Sequence, residues 1–206
     1  MLKLNFIRPQ KYTYLVEGKD LYDSFNLVAK GQVDPWLDTT GVKTNGLQET
    51  ASVGTLTATE KHKVYSSPAK RARQTAELIT LDYEVLPELA EIKFTMEEIM
   101  SKQQFLSLSE VSRVNDLRRA FFERLIASEL SESFAEVLAR VDRLIELIRQ
   151  DTPSAAYICS HSFFMKVAEI YLQYPEVRHK PSSLFDYYDP AELAYNFAGG
   201  FSISLE

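Results

Sequence analysis

Two arginines and a histidine stand where phosphate chemistry would need them. Arg8 closes the alternating stretch LKLNFI, Arg71 is the second residue of KRARQTAELI shortly after HKVYS, and His161 directly follows AAYICS. If the three preceding stretches are parallel neighbouring strands, two guanidiniums and an imidazole meet over one edge of a sheet. Arginine offers paired N–H donors in a fork that matches phosphate oxygens. Helix N-termini there add backbone N–H groups and positive dipole ends. Each residue also has an ordinary reading: a solvated arginine at a strand end, an exposed KRAR helix face, a structural histidine. Only their convergence would make a site.

The elements that must position them follow from periodicity. Leu2, Leu4 and Phe6 alternate with Lys3 and Asn5, the period of a strand. Residues 9–45 read as irregular, punctuated by Gly18, Gly31, Pro35 and Gly41, with a helix expected at about Leu47–Leu56. His62–Ser66 reads as a strand, and Ser67-Pro68 opens a helix to about Thr80, with proline in its first turn. Tyr83–Leu86 is a further short strand. Thr95-x-x-Glu98, Ser107-x-x-Glu110 and Ser133-x-x-Glu136 each fit a capping box. After Ser107, Val111, Val114, Leu117, Phe121 and Leu125 make one apolar stripe. After Ser133, Phe134, Val137, Leu138, Val141, Leu144, Ile145 and Ile148 make another, and both stripes are core faces. Ala155–Ser160 is a buried strand, FFMKVAEIYL a helix, and Tyr195–Leu205 a last strand broken at Gly199-Gly200. Strands alternating with helices imply an α/β sandwich with a mainly parallel sheet, in which ligands sit beyond the carboxyl ends of strands.

Composition bounds the partners. The 206 residues are 45% hydrophobic and 25% charged, with a net charge of −6, which suits one globular domain over residues 1–206. That charge gives no general attraction to nucleic acid or anionic lipid, so an anionic ligand must be held by local cations. Neither a signal peptide nor an apolar run of ~18–20 residues is present, so no membrane partner is expected and a cytoplasmic location is. Cys159 is the single cysteine, and the histidines are His62, His161 and His179. No metal-ligand spacing results, and no metal or other cofactor is expected. His62 and His179 read as surface residues, and Cys159 as core.

The stretch SSPAKRARQTAELI resembles the second signature of the histidine phosphatase superfamily, which includes the phosphoglycerate mutases. The resemblance places Arg71 at the arginine that binds the phosphoryl group. ICSHSFFMKVAEIYL resembles the strand–Ser-His-Gly–helix element, with His161 at the second active-site histidine and Ser162 in place of glycine. VDPWLDTTGVKTNGLQET resembles the segment between the first two signatures. LPELAEI resembles the Leu-x-Glu that carries the general acid, which implies Glu91, and SESFAEVLARV resembles the Glu-Ser…Arg-Val helix. The implied fold is the phosphoglycerate mutase-like three-layer α/β/α sandwich, with a helical lobe at about 87–130.

The first signature of that family is Arg-His-Gly, whose histidine carries the phosphoryl group. Here it reads Arg8-Pro9-Gln10, followed by an altered Lys11–Tyr14. Proline has no nucleophilic side chain and no backbone N–H. The retained set (Arg8, Arg71, Glu91, His161) is that of a phosphate site without its attacking residue. The first expectation is a pseudoenzyme that binds phosphate, a phosphorylated small molecule or a phosphorylated protein. The alternatives are a phosphomonoesterase using His161 or water as nucleophile, and a structural or interaction protein.

Overall fold

The computed structural model describes residues 1–9, 15–35, 61–192 and 194–206. The described strands are β1 (Leu2–Ile7), β2 (His62–Ser66), β3 (Glu84–Val85), β4 (Ala155–Cys159) and β5 (Gly200–Leu205), in spatial order β3-β2-β4-β1-β5. Every neighbouring pair is parallel except β1 and β5, which run antiparallel. The described α-helices are α1 (Leu21–Ala29), α2 (Lys70–Glu77), α3 (Met96–Ile99), α4 (Lys102–Ser107), α5 (Glu110–Ile126), α6 (Phe134–Gln150), α7 (Ser162–Gln173) and α8 (Leu184–Tyr187).

Side-chain alternation along the strands builds two cores. Leu4 and Phe6 of β1, Tyr65 of β2, and Ala156 and Ile158 of β4 join the large core. There they meet Phe121 and Leu125 of α5, Val137 and Val141 of α6, and Phe164 and Met165 of α7. The opposite face presents Ile7, Val64, Tyr157 and Cys159 to Ala72 and Ala76 of α2. With both faces covered, the sheet is the middle layer of an α/β/α sandwich, the architecture the alternating pattern implies. Among the described residues, no helix is long and apolar enough to cross a membrane.

Several boundaries differ from the sequence reading. The stretch expected to be irregular contains α1, whose Asp20 side chain accepts from the Asp23 N–H at 2.9 Å and caps the start. Gly31 follows its end at φ +67°, a backbone angle that favours glycine. The expected helix at Leu47–Leu56 lies outside the described residues. α2 begins at Lys70 after an Ala69 cap, so Pro68 precedes the helix instead of sitting in its first turn. The Thr95 and Ser133 capping boxes form, but Ser107 is absorbed as the last residue of α4, and Ser109 caps α5. Val114 is 43% exposed, while Leu117, Phe121 and Leu125 of the same stripe are buried. β5 starts only at Gly200, because Ala198 adopts φ +60° and breaks the extended run. Gly200 itself is required, since a Cβ there would lie 1.8 Å from the Phe6 carbonyl oxygen.

Candidate anion site at the carboxyl edge of the sheet

Register brings the strand ends together. Ile7 and Ser66 both pair with Cys159, so Arg8, Ser67 and Ser160 are the next row. Main-chain bonds lock that row: Ser160 N–H donates to the Ile7 carbonyl at 3.1 Å, and Ser67 N–H to the Cys159 carbonyl at 2.9 Å. Arg8 N–H donates to the Gly199 carbonyl at 2.8 Å. His161 comes next, as the N-cap residue of α7.

Arg71, the second residue of α2, is buried and reaches across to His161, with Nη2 2.9 Å from Nδ1. A guanidinium can only donate, so Nδ1 accepts and the imidazole proton sits on Nε2. That Nε2–H points at Ser67 Oγ, 2.8 Å away. His161 is therefore a neutral imidazole with both ring nitrogens engaged. Its pKa is held well below the ordinary histidine value, first by burial, then by the charges of Arg71, Arg140 and Arg8. Arg71 Nη1 also meets Asp34 Oδ1 at 3.3 Å, and Asp34 Oδ2 accepts the Lys70 N–H at 2.6 Å.

Arg8 is buried at the other side. Its Nη1 donates to the Tyr195 carbonyl at 2.5 Å, and its guanidinium lies 4.2 Å from the centre of the Phe197 ring. Pro9 is buried, and its carbonyl accepts from Ala198 N–H at 3.4 Å. Gln10 and Lys11–Tyr14 lie outside the described residues.

Glu91 is half-buried, and its carboxylate sits on the first turn of α7. Oε1 accepts the Phe164 N–H at 2.9 Å and the Ile92 N–H at 3.1 Å, while Oε2 accepts the Phe163 N–H at 3.4 Å. Since His161 offers no side-chain cap of its own, Glu91 caps α7 from outside. Desolvation raises its pKa above the ordinary glutamate value, against the pull of those N–H groups and of Arg71.

Sequence reasoning missed the residues that hold this arrangement. Arg140 of α6 is buried and donates to the carbonyls of Glu88 at 3.1 Å and Ala90 at 2.5 Å, fixing the segment that carries Glu91. It pairs with Glu132 through Nη2–Oε2 at 3.0 Å; the Nε–Oε1 approach at 2.9 Å is an ion-pair contact whose angle misses a hydrogen bond. Ser160 Oγ donates to the Leu89 carbonyl at 2.7 Å. Ser67, Asp34, Glu132 and Arg140 all lie in stretches that resemble the family. That was their only signal, since their partners are 8 to 94 residues away.

Of the other reactive groups, Cys159 is fully buried, and burial pushes its thiol up to about 12. His179 is exposed, but His62 is half-buried against Tyr157, not a surface residue as expected. Among the described residues, no group of three or more His, Cys, Asp or Glu could hold a metal ion.

The family model of the histidine phosphatase superfamily (branch 1) matches residues 26–182. The chain belongs to that superfamily. No curated protein sequence matches the chain. Among solved structures, it resembles mycobacterial glucosyl-3-phosphoglycerate phosphatase at 19% identity and a TM-score of 0.56, over 87% of this chain and 83% of that one. It resembles a structure described as mycobacterial hydrolase 1 at 18% identity and a TM-score of 0.54, over 87% and 82% of the two chains. It also resembles a mutant phosphoserine phosphatase from Entamoeba histolytica, solved with phosphoserine, at 21% identity and a TM-score of 0.51, over 87% and 85%. Such likenesses establish the histidine phosphatase fold, with its mixed five-stranded sheet.

Proposed function

We propose that this superfamily member binds a phosphoryl group at the carboxyl edge of its sheet without phosphohistidine catalysis. The observation that carries the reading is Pro9, buried directly after Arg8 where the family resemblance puts the phosphate-accepting histidine. A ring closed onto the main chain has no lone pair to offer phosphorus. The polar groups at the same sheet edge suit an anion: Arg71 and Arg8 as charged donors, His161 as a neutral hydrogen-bonding group. The ligand is a phosphorylated small molecule or a phosphorylated protein.

His161 as a substitute nucleophile is the rival reading, and its contacts oppose that role. Its Nδ1 lone pair points at Arg71, and its Nε2 carries the proton shared with Ser67. Attack would require breaking one of these bonds and moving a proton before any phosphorus is reached.

The test is thermal unfolding with inorganic phosphate against a chloride control. A site filled to 100 times its dissociation constant stabilises the fold by about 2.7 kcal/mol. For a chain of this size that raises Tm by roughly 5–10 °C. Arg71→Ala should lose most of the shift. A wild type indifferent to phosphate would remove the reading.

A further inference from the structure

We propose that Asp34 occupies the anion seat on Arg71 when no ligand is bound, and that a phosphoryl group binds by displacing it. The inference rests on the pocket assigned under Proposed function and names the residue that sets its affinity. Asp34 places one carboxylate oxygen 3.3 Å from Arg71 Nη1 and the other 2.6 Å from the Lys70 N–H. These two donors, a guanidinium and the first N–H of a helix, are those a phosphoryl group at the start of α2 would use. Ala69, the N-cap residue, supplies no side-chain acceptor, so Asp34 fills that role from a distant segment.

The two partners are not equally fixed. The Arg71 side chain is 9% exposed and braced by His161 Nδ1, whereas the Asp34 side chain is 42% exposed. An ion pair with one member in solvent is weakly held. Asp34 can therefore turn into water while Arg71 stays aimed at the pocket. A bound dianion beside an unmoved Asp34 would face its charge across the guanidinium, which disfavours simultaneous occupancy. Displacement resolves the conflict and makes the carboxylate a brake on anion affinity.

The experiment is calorimetric titration of inorganic phosphate into wild type, Asp34→Asn, Arg71→Ala and the double variant. Asparagine keeps an oxygen for the Lys70 N–H but removes the charge. Asp34→Asn should bind phosphate about fivefold more tightly than wild type, the scale of a partly exposed ion pair. The gain should vanish when Arg71 is alanine. Unchanged or weaker binding by Asp34→Asn, with wild type binding normally, overturns displacement and leaves the pocket standing. The same holds if the gain survives at full size without Arg71. Phosphate binding by neither wild type nor Asp34→Asn overturns the pocket itself, and displacement with it.

Discussion

The two sides of the strand-end cluster differ in how their polar groups are held. On the side built by β2 and β4, Ser67, Arg71 and His161 form one hydrogen-bonded chain, and Glu91 sits on the same helix start as His161. On the side built by β1, Arg8 is drawn to a main-chain carbonyl and an exposed ring, and Pro9 follows it. Under the proposed reading, a nucleophile and charge complementarity would come from different strand ends. On that reading the first would be lost by one substitution after β1, while the groups of the second stay locked by contacts from β2, β4, α6 and α7.

The most forceful way to break the comparison is to restore the altered side. If the proposed reading holds, Pro9→His with Gln10→Gly returns a nucleophile beside Arg8, Arg71 and His161. Phosphatase activity should rise by roughly 10³-fold over the trace rate of wild type, and the protein should become labelable by a phosphoryl donor. If it stays inert, the cationic side is not poised for chemistry.

The braces of the intact side give the next largest effect. Arg140→Ala strands Glu132 as a buried carboxylate and frees the Glu88–Ala90 carbonyls, at a cost of about 3 kcal/mol. Thermal unfolding should show a Tm lower by roughly 6–12 °C. Phe197→Ala on the altered side removes a ring over Arg8, and should cost about 0.5–1 kcal/mol. Comparable losses in the two variants would erase the asymmetry.

A further effect is in pH. The folded-state pKa of His161 is depressed, so its contribution is intact above the ordinary value of 6.5 and lost as pH falls below it. Glu91 acts the other way: its raised pKa makes the fold take up a proton early, so its contribution declines as pH rises above 4.5. Between the two ordinary values, acidification therefore destabilises through His161 and stabilises through Glu91. His161→Gln should remove up to about 1.4 kcal/mol per pH unit of acid sensitivity just below pH 6.5, read from denaturant midpoints. An unchanged pH profile would show that His161 is not held neutral.

Much of the arrangement was legible in the residues. SSPAKRARQTA and ICSHS placed Arg71 and His161 at helix starts after strands, and the register of β1, β2 and β4 puts them on one edge. What was illegible depends on long-range contacts or on competition between local signals. Asp34 meets α2 across 36 residues, and Ser67 meets His161 across 94. Ser107 and Ser109 could both cap a helix, and only the length of α4 decides between them. α1 was hidden because Gly18 and Gly31, read as punctuation of a loop, in fact flank a helix that Asp20 starts.

The central claim is binding without turnover, and phosphorus NMR of phenyl phosphate mixed with wild type reads both at once. The ester signal should shift or broaden with wild type and recover when Arg71 is alanine. No inorganic phosphate signal should grow above the trace left by contaminating enzymes. Steady release of inorganic phosphate that survives repurification and disappears in His161→Ala would contradict it.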